Sequence, residues 1–231
     1  MKKNLLLCIA LSCTLFSCST EEKINEEKSI EGKTLSFAIS KIEKDIDYCN
    51  INLYTDNVIT NKDLFDDLYS LNQKGKTKSF EQKDINALLD KYGYKKRSVS
   101  DISSTEKSVL SSFFSSIKRS DLSSIAITEH YINVIGGLKL NTTDKTNCIT
   151  ELEFIRDLMI VLNYDNDDIR VNTSKLKATN PCGNRGCWDC CMYKRAKAVF
   201  EDGNWVDQAE FMVSLPWSFG YWSGSCAWNC R

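Results

Sequence analysis

The sequence predicts an all-α fold: a helical bundle followed by a small disulfide-rich, helix-containing C-terminal segment. Three observations carry that expectation. Apolar residues recur at gaps of three and four through residues 34–163, with no strand-like alternation. Two of these stretches open on a Ser followed three positions later by Gln or Glu, the reciprocal device that starts a helix. Six cysteines then crowd into residues 182–231, a density expected of a cross-linked exported segment.

In chain order, Leu35, Ile39, Ile42, Ile46 and Cys49 form the first stripe, and Leu64, Phe65, Leu68 and Leu71 form the second, with Thr60 and Asp63 at its start. Ser79 and Gln82 cap a third helix carrying Ile85, Leu88, Leu89 and Tyr92, stopped by Gly93. Ser103 and Glu106 cap a fourth with Val109, Leu110, Phe113, Phe114 and Ile117. Asp121 is the expected start of a fifth, ended by Gly136-Gly137. Cys148, Leu152, Ile155, Met159 and Leu162 mark a sixth from about Asp144 to Leu162. Residues 164–181 are polar and turn-rich and read as a linker. Asn204 with Asp207 starts a short helix in the C-terminal segment, which spans 182–231.

The N-terminus gives the address. Lys2 and Lys3 precede an apolar run from Leu5 to Phe16, and Ser17 precedes Cys18, the pattern of a cleaved export signal over residues 1–17. Its end resembles the lipobox of bacterial lipoproteins, and the acidic Ser19-Thr20-Glu21-Glu22-Lys23 resembles the signal of surface-exposed lipoproteins of Bacteroidetes. The resemblance implies acylation of Cys18 and an outer-membrane protein facing the cell exterior. Contact with the membrane then runs through the lipid alone. Residues 18–33 read as a flexible tether.

Composition narrows the function. The chain carries 30 basic and 31 acidic side chains, so nothing in its charge balance recruits nucleic acid. A single histidine, His130, rules out a multi-histidine metal site. No Gly-rich phosphate loop, nucleophile elbow or zinc-protease motif occurs, and no catalytic residue is assigned. No metal or cofactor is expected beyond the lipid on Cys18.

Of eleven cysteines, Cys8, Cys13 and Cys18 belong to the signal, leaving Cys49, Cys148, Cys182, Cys187, Cys190, Cys191, Cys226 and Cys230. An even set in an exported chain reads as disulfides. Cys49 and Cys148, each on an apolar stripe, are expected to bond each other. The adjacent Cys190 and Cys191 are expected to reach different partners, and Cys226 and Cys230 to pin the C-terminus onto the Cys187–Cys191 helix. Two other readings weigh less: Cys187-Trp-Asp-Cys190 as a redox dithiol, and Cys182, Cys187, Cys190 and Cys191 as a thiolate zinc site.

Four of five tryptophans lie between 205 and 231. Trp188 and Trp205 are expected in the core. Trp217, Tyr221, Trp222 and Trp228, flanked by Gly and Ser, are expected to be exposed as a binding surface for a protein or other surface ligand. The layout resembles lipoproteins of Bacteroidetes that join a helical region to a short Cys/Gly/aromatic end, a likeness that brings no known activity. The expected role is a binding module. The alternative is a secreted effector or antibacterial-type protein whose C-terminal segment is the active part.

Overall fold

The computed structural model describes residues 20–51, 59–75, 82–94, 96–165, 182 and 185–230. Among them are nine α-helices and no strand. They are α1 Thr20–Asp47, α2 Lys62–Gly75, α3 Gln82–Lys91, α4 Ser104–Arg119, α5 Ser124–Gly137, α6 Thr142–Val161, α7 Cys187–Lys197, α8 Trp205–Val213 and α9 Leu215–Asn229. A 3₁₀ turn, Val99–Asp101, precedes α4, and a π turn, Ala198–Asp202, prolongs α7. The fold class expected from the sequence is the one observed. The signal, Cys18, Ser79 and residues 166–181 lie outside the described residues.

The stripes bury as their spacing demands. Leu35, Ala38, Ile42 and Ile46 of α1 face inward, as do Leu64, Phe65 and Leu68 of α2 and Ile85 and Leu89 of α3. Helix α1 begins at Thr20, so the stretch expected to be a tether is helical from there on. Its many Glu and Lys residues have high helix propensity, which lack of apolar periodicity does not remove.

The capping box of α4 forms as expected: Glu106 N–H donates to Ser103 Oγ at 3.1 Å, and Ser103 N–H donates to the Glu106 carboxyl at 3.1 Å. Asn204 and Asp207 form the same box on α8. The start of α5 differs from expectation. Ser123, not Asp121, caps it, and the carboxyl of Asp165 reaches across to accept from Ser124 N–H at 2.9 Å and Ile125 N–H at 2.8 Å. An acid at a helix N-terminus is stabilising wherever it comes from in the chain, and this one comes from 40 positions away.

Three helices end the same way. After α1, Cys49 N–H donates to Ile46 O and Asn50 N–H to Asp45 O. After α3, Gly93 and Tyr94 repeat the pair on Asp90 and Leu89, and after α6, Asn163 and Tyr164 do so on Ile160 and Met159. The residue at the turn has φ of 55° at Cys49, 74° at Gly93 and 49° at Asn163. Glycine adopts that left-handed conformation freely; a cysteine does so against its Cβ.

This turn overturns the expected Cys49–Cys148 bridge. The first stripe ends with the helix at Asp47, so Cys49 leaves the apolar face and is exposed with a free thiol. Cys148 is free and fully buried on α6. Extrapolating the period two residues beyond the helix put both sulfurs on facing surfaces, which they are not.

Residues 182–230 share one apolar core with the bundle. Phe219 of α9 meets Phe65 of α2 at 5.0 Å between ring centroids, and Phe65 meets Phe154 of α6 at the same distance. Phe200 in the π turn lies against Phe114, Tyr164 and Phe211. A Cβ at Gly220 of α9 would lie 3.1 Å from Ile85 Cγ2, so glycine lets α9 seat closely on α3. The fully buried Asp157 accepts from both Asn61 nitrogens and from Arg156, tying the start of α2 to α6.

Candidate functional site

The C-terminal frame is built from two helices with matched spacing. Cys187 and Cys191 stand one turn apart on α7, and Cys226 of α9 stands one turn before Cys230 at that helix's C-cap. With the helices antiparallel, Cys187 bonds Cys230 and Cys191 bonds Cys226, at Cα–Cα separations of 5.7 and 5.6 Å. Cys182 bonds Cys190 at 5.3 Å and fastens the incoming chain to α7. Cys190 and Cys191 do reach different partners, and the last two cysteines do pin α9 onto α7. The sulfurs of Cys187 and Cys190 bond elsewhere rather than to each other, so the redox-dithiol and thiolate-zinc readings lose the free thiols they require. Trp188 Nε1–H donates to Ser223 O at 3.1 Å, and Arg195 donates to Ser225 Oγ at 2.9 Å between the same helices.

Helix α9 presents the candidate aromatics unequally. At 100° per residue, positions 217, 221 and 228 fall on one outward strip, while Phe219, Gly220, Ser223, Cys226 and Ala227 form the buried face. Tyr221 is 59% exposed and Trp228 55%. Trp217 is half-buried at the edge, its Nε1–H donating to Asn86 Oδ1 at 2.9 Å. Trp222 does not fit the expected surface: it is half-buried and stacks on Phe211 at 4.9 Å, because its position turns it toward α8. Trp188, edge-on to Tyr69, and Trp205, beneath Lys107 Nζ, pack against the core from its margin.

A second site escaped the sequence reading. A cleft of about 470 Å³ opens between the turn after α3, helix α6 and the α8–α9 elbow. Phe154, Met212, Val213, Leu215 and Pro216 supply apolar lining; Tyr92, Tyr94, Arg97, Asn147 and Glu151 supply the polar end, with Trp217 at the rim. Arg97 donates to Glu106 at 2.6 Å, to Glu151 Oε1 at 2.8 Å and to Asp101 O at 3.1 Å. Glu106 also receives Asn147 Nδ2–H and Ser103 N–H. The Glu151 side chain is 9% exposed, and its Oε2 has no hydrogen-bond partner among the described residues. Burial, with a smaller push from Glu106 and against the pull of Arg97, raises the Glu151 carboxyl to about 8, so it is largely neutral at pH 7. The neighbouring Cys148 thiol is pushed upward, first by burial and then by nearby carboxylates such as Glu106, which leaves it a poor nucleophile.

One sequence signal pointed here: Glu151 lies within the Cys148–Leu152–Ile155 stripe, a carboxyl on a face that ought to be apolar. Arg97 gave none, since it closes a Lys-Lys-Arg run that looks like solvated surface. A larger groove of about 670 Å³ beside α1 is lined by hydroxyls and by Leu35, Ile39 and Leu140, with Asp144 its only charged side chain among the described residues. His130, the lone histidine, faces Asp45 at 3.2 Å and takes no part in either site. Among the described residues no helix is long and apolar enough to cross a membrane. Compared with protein families, with curated proteins and with solved structures, the chain matches none.

Proposed function

We propose that this protein is a lipid-anchored, surface-facing lipoprotein of the outer membrane that binds a protein or other surface ligand through α9. The observation that carries the reading is the outward strip of α9, with Tyr221 and Trp228 more than half exposed on a helix cross-linked twice to its neighbour. Rigid aromatic side chains lose little entropy on docking, and a fixed backbone holds them ready. The sequence from Lys2 to Cys18 supplies the anchor. Phe219 seated on Phe65 supports this reading over an effector that sheds its C-terminal segment, since release would uncover the core.

The test is photo-crosslinking on intact cells, with a photoreactive residue at position 228 or, as control, at the exposed Asp66 of α2. A discrete adduct from 228 and none from 66 is expected, on a protein that Cys18→Ala releases from the membrane fraction. Equal adducts from both positions, or none from 228, would refute the binding surface; membrane retention of Cys18→Ala would refute the anchor.

A further inference from the structure

The cleft behind Trp217 is a separate matter from the outward strip of α9, because its polar end faces α6. Its size lies within the range of small-molecule sites, and its composition follows their pattern of apolar walls with a few convergent polar groups. What sets it apart is Glu151, whose Oε2 is buried in the wall and partnerless among the described residues. A buried polar atom in that condition costs free energy until something supplies its hydrogen bond.

The surrounding charges decide what that something is. Arg97, the one cation lining the cleft among the described residues, is already held by Glu106, Glu151 and the Asp101 carbonyl. Glu106 balances its charge, and ionising Glu151 would leave the trio one negative charge in excess. Farther along α6, Arg156 is committed to Asp157 and Glu129. Tyr94, in the cleft wall, is pushed up to about 12, first by burial and then by the negative charges of Asp157 and Glu153. An anion entering here meets the Glu106 carboxylate and a guanidinium already engaged on both terminal nitrogens. A cation can draw Glu151 into its ionised form, finding in Oε2 a buried atom without a partner among the described residues, in a cleft lined by Tyr94, Phe154 and Trp217.

We propose that this cleft binds a small primary ammonium ion carried on an apolar or aromatic body, with Glu151 Oε2 accepting from the ammonium and the α8–α9 elbow covering the body. Binding requires the ionised carboxylate. Glu151 therefore gives up its proton as the cation enters, and that proton leaves to solvent. The groups facing Glu151 are Arg97 from the turn after α3, Glu106 from α4 and Cys148 from α6. The opposite wall contributes Met212, Val213, Leu215, Pro216 and Trp217, none of which titrates.

Isothermal titration of the folded mature protein with benzylammonium, benzyl alcohol and benzoate tests this. Benzylammonium, cationic throughout pH 6–8, is expected to bind at least about tenfold more tightly than either analogue. Its affinity should rise with pH, approaching tenfold per pH unit while Glu151 is protonated. The heat measured in buffers of different ionisation enthalpy should report about one proton released. Glu151→Gln should abolish the proton release and the pH dependence and weaken binding at least about tenfold. Should that variant fail to fold, the wild-type proton release carries the test, with Trp217→Ala reading the cleft by weakened affinity. Binding of benzoate or benzyl alcohol as tight as the amine, amine affinity indifferent to pH, or no saturable amine binding would each overturn the proposal.

Discussion

The α1–α6 bundle and the α7–α9 end are held by different means. In the bundle, strong amphipathic periods place Phe113, Phe114, Ile155 and their neighbours in a dry core, and two of its cysteines stay free. At the other end, α9 reads Leu-Pro-Trp-Ser-Phe-Gly-Tyr-Trp-Ser-Gly-Ser-Cys-Ala-Trp-Asn, with two glycines and four further residues of Ser or Asn that form helices poorly. Two disulfides to α7 and a close-packed face of small residues make it a helix nonetheless. Covalent links stand in where local propensity is weak, and they sit nowhere else among the described residues.

The contrast can be broken most severely at the seam. Phe219→Ala is expected to lose about 3–5 kcal/mol, measured by urea denaturation, because Phe219 joins the end to α2 and α6. A single transition with that loss supports one shared core; a loss under about 1 kcal/mol would mean the end folds apart. Replacing Cys191 and Cys226 together by Ala frees a segment that the Cys187–Cys230 bridge still encloses, and should lose about 2–3 kcal/mol in the chain-entropy description.

Glu151 sharpens the comparison through pH. Its folded carboxyl titrates near 8 against an ordinary 4.5, so the folded state holds the proton more tightly. Stability from this group is greatest below pH 4.5 and falls as pH rises toward 8, by a few kcal/mol at most. The wild type minus Glu151→Gln difference in unfolding free energy, followed from pH 5 to 8, should fall with pH; a flat difference would place the carboxyl in water.

The smallest effects concern helix ends. Ser103→Ala should lose about 1 kcal/mol with the cap of α4. Cys49→Gly should instead gain about 1 kcal/mol in denaturant midpoint terms, since glycine takes φ of 55° without a Cβ clash. A loss there would reveal that the Cys49 sulfur is engaged.

Much of this was legible locally. Five stripes of the bundle, the Ser103–Glu106 and Asn204–Asp207 boxes and the Gly93 stop are written within four residues of where they act. Part of the end was legible too, since adjacent Cys190 and Cys191 rarely bond each other and Cys226 and Cys230 stand one turn apart, but the individual pairings were not. What could not be read depends on distant chain. Asp165 reaches the start of α5 across about 40 positions, the glycines of α9 have meaning only against Ile85, and Glu151 becomes a site only once the α8–α9 elbow closes over it. Cys49 misled because periodicity says where a face lies, not where the helix stops.

The central claim, that cross-links are confined to the C-terminal end and fix α9 in place, is tested most directly by alkylating without reductant and mapping peptides. In the native protein the label should appear on Cys49 alone among the eight cysteines after the signal. In denaturant it should appear on Cys49 and Cys148, with Cys182–Cys190, Cys187–Cys230 and Cys191–Cys226 recovered as linked peptides. A Cys49–Cys148 linked peptide, or label on any of the six C-terminal sulfurs, would contradict it.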